Sequence, residues 1–325
     1  MIAAAQGWLF ETVVQPLLFA FGWMTLADSI YDLTEWVVLG AIEIVVLAIV
    51  LGALERRWPV EPVIDHAAIR VDIIYTVLHR LGLFAILSFA VLTPLIDALE
   101  SRWRLAGFSR PNFEQSVPWL DGSPLLALLA YLVLFDLVDY GFHRASHRFH
   151  WWWQLHAVHH SQRQMTFWSD SRNHLLDSLL RDAVLALVAV VVGVPPGQFV
   201  VLTILTRVLE SLQHTNLRLR FPGWLEWLFV SPSFHRRHHA IGFGHEGRTH
   251  GVNFAVLFPL WDHLFGTADR RSGFVATGIR DQLSGRDYGR GFWSQQWLAF
   301  TRMRRATAAM APTNSDSESR DNRIE

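Results

Sequence analysis

The stretch that decides the fold is residues 124–147, PLLALLAYLVLFDLVDYGFHRASH, in which a long apolar run ends in two histidines. Residues 124–140 predict a membrane-spanning helix, because a span needs about 20 mostly apolar residues. His143 and His147 follow directly and lie four residues apart, so they share one helical face. The stretch therefore predicts a membrane helix that ends in a pair of imidazoles, which are good ligands for transition metals.

The composition places the chain among membrane proteins. Of its 325 residues, 51% are hydrophobic, and its 15 tryptophans favour membrane interfaces. The formal net charge of -1 gives no indication of a nucleic-acid partner. The absence of cysteine excludes disulfides, iron–sulfur clusters, thiolate-bound haem and cysteine zinc sites.

Other apolar regions predict further spans. Residues 36–54 and 81–99 each predict one helix. Residues 175–212 are interrupted by two prolines within residues 194–197, which predicts a broken hairpin that enters the membrane and returns. Residues 8–26 either span the membrane or lie in its interface. We therefore predict an all-α, multi-pass transmembrane protein with about four spans, one of them a broken hairpin.

The arginines predict the orientation, since basic residues are enriched on the cytoplasmic side. The regions before the second span, after the third span and after Leu212 are rich in arginine and fall on one side if the hairpin returns. They include Arg56, Arg57, Arg70, Arg80, Arg144, Arg148, Arg163 and Arg172, whereas Arg102, Arg104 and Arg110 fall on the other side. We therefore expect a helical cap with the metal site on the cytoplasmic side.

The chain divides into three predicted regions. Residues 1–123 form an N-terminal transmembrane region, residues 124–270 the catalytic domain, and residues 271–325 a C-terminal extension. The polar residues 314–325 predict a disordered tail.

The histidines are concentrated in one half of the chain, with 14 of the 16 between His143 and His263. Most fall into three groups spaced so that each presents two or three imidazoles to one point. Eight such side chains are too many for one ion, so the sequence predicts two ions. The groups are His143 and His147; His156, His159 and His160; and His235, His238 and His239.

Several polar residues near these groups have two interpretations. Asp136 and Asp139 lie one or two turns before His143, so they either orient metal-bound imidazoles or form a helix-end ion pair with Arg144. Isolated histidines are more often capping or surface residues than ligands. We interpret His66, His79, His150 and His245 in this way.

In their order and spacing these motifs resemble the fatty acid hydroxylase and sterol desaturase superfamily, over about residues 125–268. Members of that superfamily act on sterols, fatty acyl chains, sphingolipids, alkylglycerols, carotenoids and ornithine lipids, so the resemblance does not specify a substrate. The matching motifs are DxxxYxxHRxxH at residues 136–147, LHxVHHS at 155–161, RxH at 172–174, HTN at 214–216, SPxxHRxHH at 231–239, NF at 253–254 and WDxxFGT at 261–267.

The resemblance implies two iron ions that use O2 to hydroxylate or desaturate a lipid. It adds His214, and more weakly His174, to the metal ligands of the three groups. Some members have a histidine where this chain has Glu210, which leaves that residue open as a carboxylate ligand, a base or a plain helix residue. Glu210, Asp136 and Asp139 are thus the candidate catalytic carboxylates. Electrons are expected from a separate reductase or ferredoxin, or from a reduced pterin.

Other functions fit the sequence less well. A zinc protease needs His-Glu-x-x-His, but the histidine after His245 and Glu246 comes one residue too late. A histidine-rich metal transporter would place its ligands near the middle of the membrane. A haem-binding electron carrier needs only two histidines. Metal analysis distinguishes all of these from a di-iron enzyme.

Overall fold

The described part of the chain is helical. The computed structural model describes residues 1–109, 111–120, 122–242, 250–271 and 273–309, and the pairing of extended backbone within them is limited to two isolated bridges. The all-α prediction is confirmed for these residues. The α-helices are α1 Ile2–Leu9, α2 Gln15–Phe21, α3 Ala27–Arg57, α4 His66–Arg80, α5 Leu83–Leu105, α6 Phe113–Ser116, α7 Pro124–Arg148, α8 His150–His160, α9 Leu175–Val192, α10 Pro196–Gln213, α11 Leu225–Leu228, α12 Pro232–His238, α13 Leu260–Leu264 and α14 Phe292–Ala308.

Three helical segments are long and apolar enough to cross a membrane: Met24–Arg57, Leu83–Leu105 and Pro124–Arg148. The first and third segments contain the predicted spans 36–54 and 124–140 and extend beyond them, whereas the second begins two residues after the predicted start at residue 81 and continues past residue 99. The extension of α3 has a visible cause, because the Glu55 carboxylate accepts hydrogen bonds from the backbone N–H groups of Phe167 and Asn216. Because the polar end of α3 has partners within the protein, the helix continues past the apolar run by which the span is recognised in the sequence.

The helix break predicted at residues 194–197 is confirmed. The first arm, α9, ends at Gly193, whose φ of 76° is left-handed, and α10 begins at Pro196. A Cβ on Gly193 would lie 1.9 Å from the carbonyl oxygen of Pro111, so only glycine fits there. Both arms pack on α7. Neither arm is among the three segments long and apolar enough to cross a membrane, so the fourth span stays a prediction.

The N-terminal segment lies against the start of α3. A single π-helical turn, Phe10–Val14, joins α1 to α2. The side-chain amide of Gln6 donates to the carbonyl of Tyr31, and the rings of Phe10 and Tyr31 meet edge to face at 5.1 Å. Trp8 and Phe19 are exposed. Both alternatives for residues 8–26, a span or an interfacial segment, therefore remain open.

The C-terminal extension packs onto the histidine-rich region. Helix α14 lies along α8 and also contacts α4. Their shared core includes Tyr75, Leu155 and Phe292, and the Tyr75 hydroxyl donates to the side-chain carbonyl of Gln295. The predicted tail at residues 314–325 lies outside the described residues.

Candidate metal centre

Nine buried histidines form two adjoining groups. In each group one ring nitrogen per residue lies within 4.8 Å of the corresponding atoms of the others. Their positions follow from the helices that carry them, since α7 presents two histidines one turn apart and α8 presents three. The five-histidine group contains His143, His147, His156, His160 and His238, and the four-histidine group contains His159, His214, His235 and His239.

The Nδ1 atoms of the five-histidine group are mostly held by the protein. Three of them lie against backbone carbonyls of residues 250–254. Because a carbonyl only accepts, each of these Nδ1 atoms carries the proton and each Nε2 keeps its lone pair for a metal. The bonds are His143 to Phe254 (2.8 Å), His147 to His250 (3.2 Å) and His238 to Val252 (2.7 Å).

The Nε2 atoms of this group face one another. Those of His143, His156 and His238 are buried without a hydrogen-bond partner among the described residues. An unsatisfied buried nitrogen is costly, and native proteins rarely retain one without a bound group. The Nε2 atoms of His147 and His160 are 3.1 Å apart. The donor set therefore fits a metal ion with nitrogen ligands.

In the four-histidine group the Nε2 atoms also face one another. The Nε2 atom of His214 is 3.2 Å from that of His159 and 3.0 Å from that of His235, which is in turn 3.1 Å from that of His239. Nitrogens bound at about 2.1 Å to one ion, at angles of roughly 90–100°, lie about 3.0–3.2 Å apart. The spacing thus matches the edges of a coordination polyhedron.

Consecutive residues belong to different groups. His159 and His160 are neighbours on α8, and their rings are nearly perpendicular at 81°. His238 and His239 repeat this arrangement at 87°. The rings of His160 and His239 stack across the boundary with centroids 4.3 Å apart. The two groups are therefore close enough to form one two-metal centre.

The environment keeps these imidazoles neutral. Burial, reinforced by neighbouring imidazoles, lowers the pKa of His159, His160 and His239 well below the ordinary value. The same causes lower the pKa of His235 and His238. Neutral imidazole is the form that binds a metal.

The structure corrects the interpretation of Asp136. Its carboxylate accepts the backbone N–H groups of Leu257 and Phe258, at 2.7 and 3.0 Å, and the indole N–H of Trp261 at 2.9 Å. Asp136 therefore fixes the turn at residues 257–261, shortly after Phe254. Within the described residues, no hydrogen bond joins Asp136 to an imidazole.

The structure also corrects the interpretation of Asp139. Its carboxylate forms a two-pronged ion pair with Arg181 of α9, at 2.7 and 2.9 Å. The predicted partner, Arg144, instead donates to the hydroxyl of Tyr140 at 3.1 Å. The pairing partner comes from a distant helix, which the local spacing around Asp139 does not reveal.

Glu210 and His174 lie outside both groups. The Glu210 side chain pairs with Arg181 at 3.0 Å, while its backbone carbonyl accepts from His214 Nδ1 at 2.8 Å. His174 is the N-cap of α9: its Nδ1 accepts the N–H of Leu176 at 3.1 Å, and its Nε2 donates to the carbonyl of Gln296 at 3.0 Å. Nine of the ten histidines named from the sequence are thus brought together, and His174 is not.

Asp177 is a site residue that the sequence did not reveal. One of its carboxylate oxygens lies 2.9 Å from His156 Nδ1, and the other accepts the indole N–H of Trp152 at 2.7 Å. An acidic residue in the first turn of a helix is ordinary, because it favours the helix dipole. Its position therefore gives no signal of a role at the centre.

The other described histidines lie outside the two groups. His66 is exposed at the start of α4, whereas His79, expected to be a capping or surface residue, packs on the ring of Phe84 with its Nε2 buried. His263, which no motif places at the metals, stacks on Trp227. His245 and Glu246, on which the protease alternative rests, lie outside the described residues.

Comparison with known proteins agrees with this site. Residues 128–267 match the family model of fatty acid hydroxylases. The ornithine lipid hydroxylase OlsE of Rhizobium tropici is 27% identical over 187 residues, which is 57% of this chain and 54% of that protein. The alkylglycerol monooxygenase of Caenorhabditis elegans is 31% identical over 134 residues, 41% of this chain and 25% of that protein. The human alkylglycerol monooxygenase is 28% identical over 176 residues, which is 52% of this chain and 36% of that protein.

The alignments to these relatives cover 41–57% of this chain and span about half or less of each relative's own length. No solved structure matches the chain. Residues 128–267 of the chain match the fatty acid hydroxylase family, and this region carries all nine clustered histidines.

Proposed function

We propose that this protein is a membrane-bound di-iron oxygenase that uses O2 to hydroxylate a membrane lipid. The observation that carries the proposal is the pair of buried, all-nitrogen groups of five and four histidines. Five imidazoles at one point exceed the four ligands of tetrahedral zinc and suit a metal of higher coordination number. The similarity to proteins named as a lipid hydroxylase and as monooxygenases favours hydroxylation over desaturation.

The protein's part in this chemistry is to hold and shield the metals. An iron pair bound at the two groups would activate dioxygen. The hydrogen bonds to Nδ1 fix the ring orientation of His143 and His238, and the ring of Phe254 packs edge-on against both. This apolar wall excludes water from the ligands. Fixed rings and an apolar wall would hold the nitrogens that bind the metals in one arrangement beside the lipid.

The reaction requires an external source of electrons. Hydroxylation places one oxygen atom of O2 in the lipid and releases the other as water, which consumes two electrons and two protons. We infer a separate donor, either a reductase or ferredoxin, or a reduced pterin. We also infer that the centre faces the cytoplasm, where such donors are found, on the strength of the arginine distribution.

We expect the purified protein to contain about two irons per chain, because the two groups supply two sets of ligands. Elemental analysis after anaerobic purification measures this number, and X-ray absorption identifies the ligand atoms as nitrogen. A single zinc ion would support the protease alternative, and haem would support the electron carrier. One metal or none in active protein contradicts the proposal.

We expect reporter fusions after residues 163 and 309 to lie on the cytoplasmic side. The reason is the arginine distribution, combined with a hairpin at residues 175–213 that returns to the side it left. A fusion after residue 107, between α5 and α7, is the matched control and is expected outside. A cytoplasmic signal at 163 with an outside signal at 309 would mean that the hairpin crosses the membrane instead.

A further inference from the structure

A polar cavity lies beside the five-histidine group, outside the metal site itself. It has a volume of about 720 Å³ and is formed by α8, α14 and the turn at Arg280–Ser284. Pockets that bind small molecules measure about 300–1,000 Å³, so this cavity is large enough for a polar head group. The lining residues used below are His150, Trp153, Gln154, Asp281, Arg286, Trp297, Arg302 and Arg305.

The cavity touches both the metal site and the end of a membrane span. One wall is Trp153, whose ring lies 4.9 Å from the ring of His147 and 5.3 Å from that of His160. Another lining residue, His150, comes two residues after Arg148, where the span of α7 ends. Trp297 is 65% exposed at the rim, and tryptophan favours membrane interfaces. A lipid with its head in the cavity would therefore lie beside both the histidines and the end of a span.

The charge of the lining is mainly positive. Three arginines face one carboxylate, Asp281, and that carboxylate is only 3.4 Å from the guanidinium of Arg286, which remains 53% exposed. Arg302 donates one N–H to the carbonyl of Asp287 at 2.7 Å. Guanidinium groups bind carboxylates and phosphates through paired hydrogen bonds, so the lining favours an anion.

Two buried atoms in the lining have no hydrogen-bond partner among the described residues. They are Nη1 of Arg302, which is a donor, and Oε1 of Gln154, which is an acceptor. Both atoms are enclosed by the protein, and the guanidinium of Arg302 lies over the ring of Tyr288, 4.2 Å from its centroid, so this positive group is fixed in the cavity wall.

We propose that this cavity binds the head group of the lipid substrate, and that this head group carries a carboxylate or a phosphate. The inference rests on the proposed hydroxylase function and narrows its substrate class. Trp153 separates the bound head from His147 and His160, so the cavity would hold the polar end of the lipid while the rest of the molecule extends toward the metals. An uncharged head group would leave Arg302 and Arg305 without an anionic partner.

Lipid binding by the metal-loaded full-length protein in detergent tests the proposal. Three probes of equal chain length are compared: an N-acyl amino-acid lipid with a free carboxylate, a phosphatidylglycerol and an uncharged monoalkylglycerol. We expect the two anionic lipids to bind more tightly than the uncharged one by about tenfold or more, the size of one charge-assisted hydrogen bond. The ratio of the two anionic affinities tells which anion the cavity prefers.

Charge reversal locates the binding. Arg305→Glu and Arg286→Glu change exposed side chains, so the fold should survive, and each is expected to weaken binding of the anionic lipids roughly tenfold without affecting the alkylglycerol. Arg302→Gln removes the buried donor and should act in the same direction. Arg104→Glu makes the same charge change in the last turn of α5 and is the control.

The outcomes separate the two proposals. Equal affinity of wild-type protein for charged and uncharged lipids, or unchanged affinity in both charge reversals, overturns the head-group assignment and leaves the hydroxylase proposal intact. Tight, arginine-dependent binding of anionic lipids without turnover of any lipid supports the cavity assignment and counts against the hydroxylase proposal.

Discussion

Replacement of His147, His160 or His239 by alanine is expected to abolish lipid turnover while the protein still accumulates in the membrane. Each residue contributes one Nε2 to a group, so its loss opens a coordination position and releases or misplaces the metal. Loss of a residue that only hydrogen-bonds to a metal ligand typically costs about 10–100-fold in metal affinity or activity. Loss of a ligand itself should therefore cost at least about 100-fold. Iron content per chain and product formation in a lipid assay measure the effect.

Membrane accumulation should survive because the spans are held by apolar packing and by backbone pairing within the helices. His66→Ala is the matched control: it removes an exposed histidine at the start of α4 and should leave iron content and turnover close to wild type. The assignment of the centre fails if all three alanine variants keep the product formation of His66→Ala. Variants that disappear from the membrane would instead indicate a structural role for the histidines.

Asp177→Asn is expected to weaken metal binding and turnover by about 10–100-fold. The aspartate holds His156 through Nδ1 at 2.9 Å, which keeps Nε2 free for the metal. An asparagine can still accept from Trp152, but then its amide nitrogen faces the Nδ1–H of His156. Two donors in contact repel each other, so the ring rotates or changes tautomer.

The concentration of chelator that removes half of the iron measures this effect independently of turnover. Asp182→Asn is the matched control, because Asp182 lies on the same helix and accepts from the Ser88 hydroxyl at 2.7 Å instead of from an imidazole. Its chelator sensitivity should equal that of wild type. Equal sensitivity of Asp177→Asn and Asp182→Asn would show that Asp177 does not position His156.

The amino-acid sequence determined three membrane-length helices and most of the histidines that cluster. Long apolar runs indicate spans because a helix satisfies its own backbone in lipid, and three of the predicted spans overlap segments apolar enough to cross. The proline pair located the break between α9 and α10. Helical periodicity grouped the histidines, since residues three and four apart share a face.

Only the tertiary structure decided which histidine joins which group and what holds each ring. Adjacent residues such as His159 and His160 point in different directions on a helix, and they enter different groups. His174 became a helix cap, and Asp177 joined the centre. The anchoring bonds connect distant residues, as from His143 to Phe254, 111 positions away. Periodicity describes one helix at a time, so partners contributed by another part of the chain appear only when the helices pack.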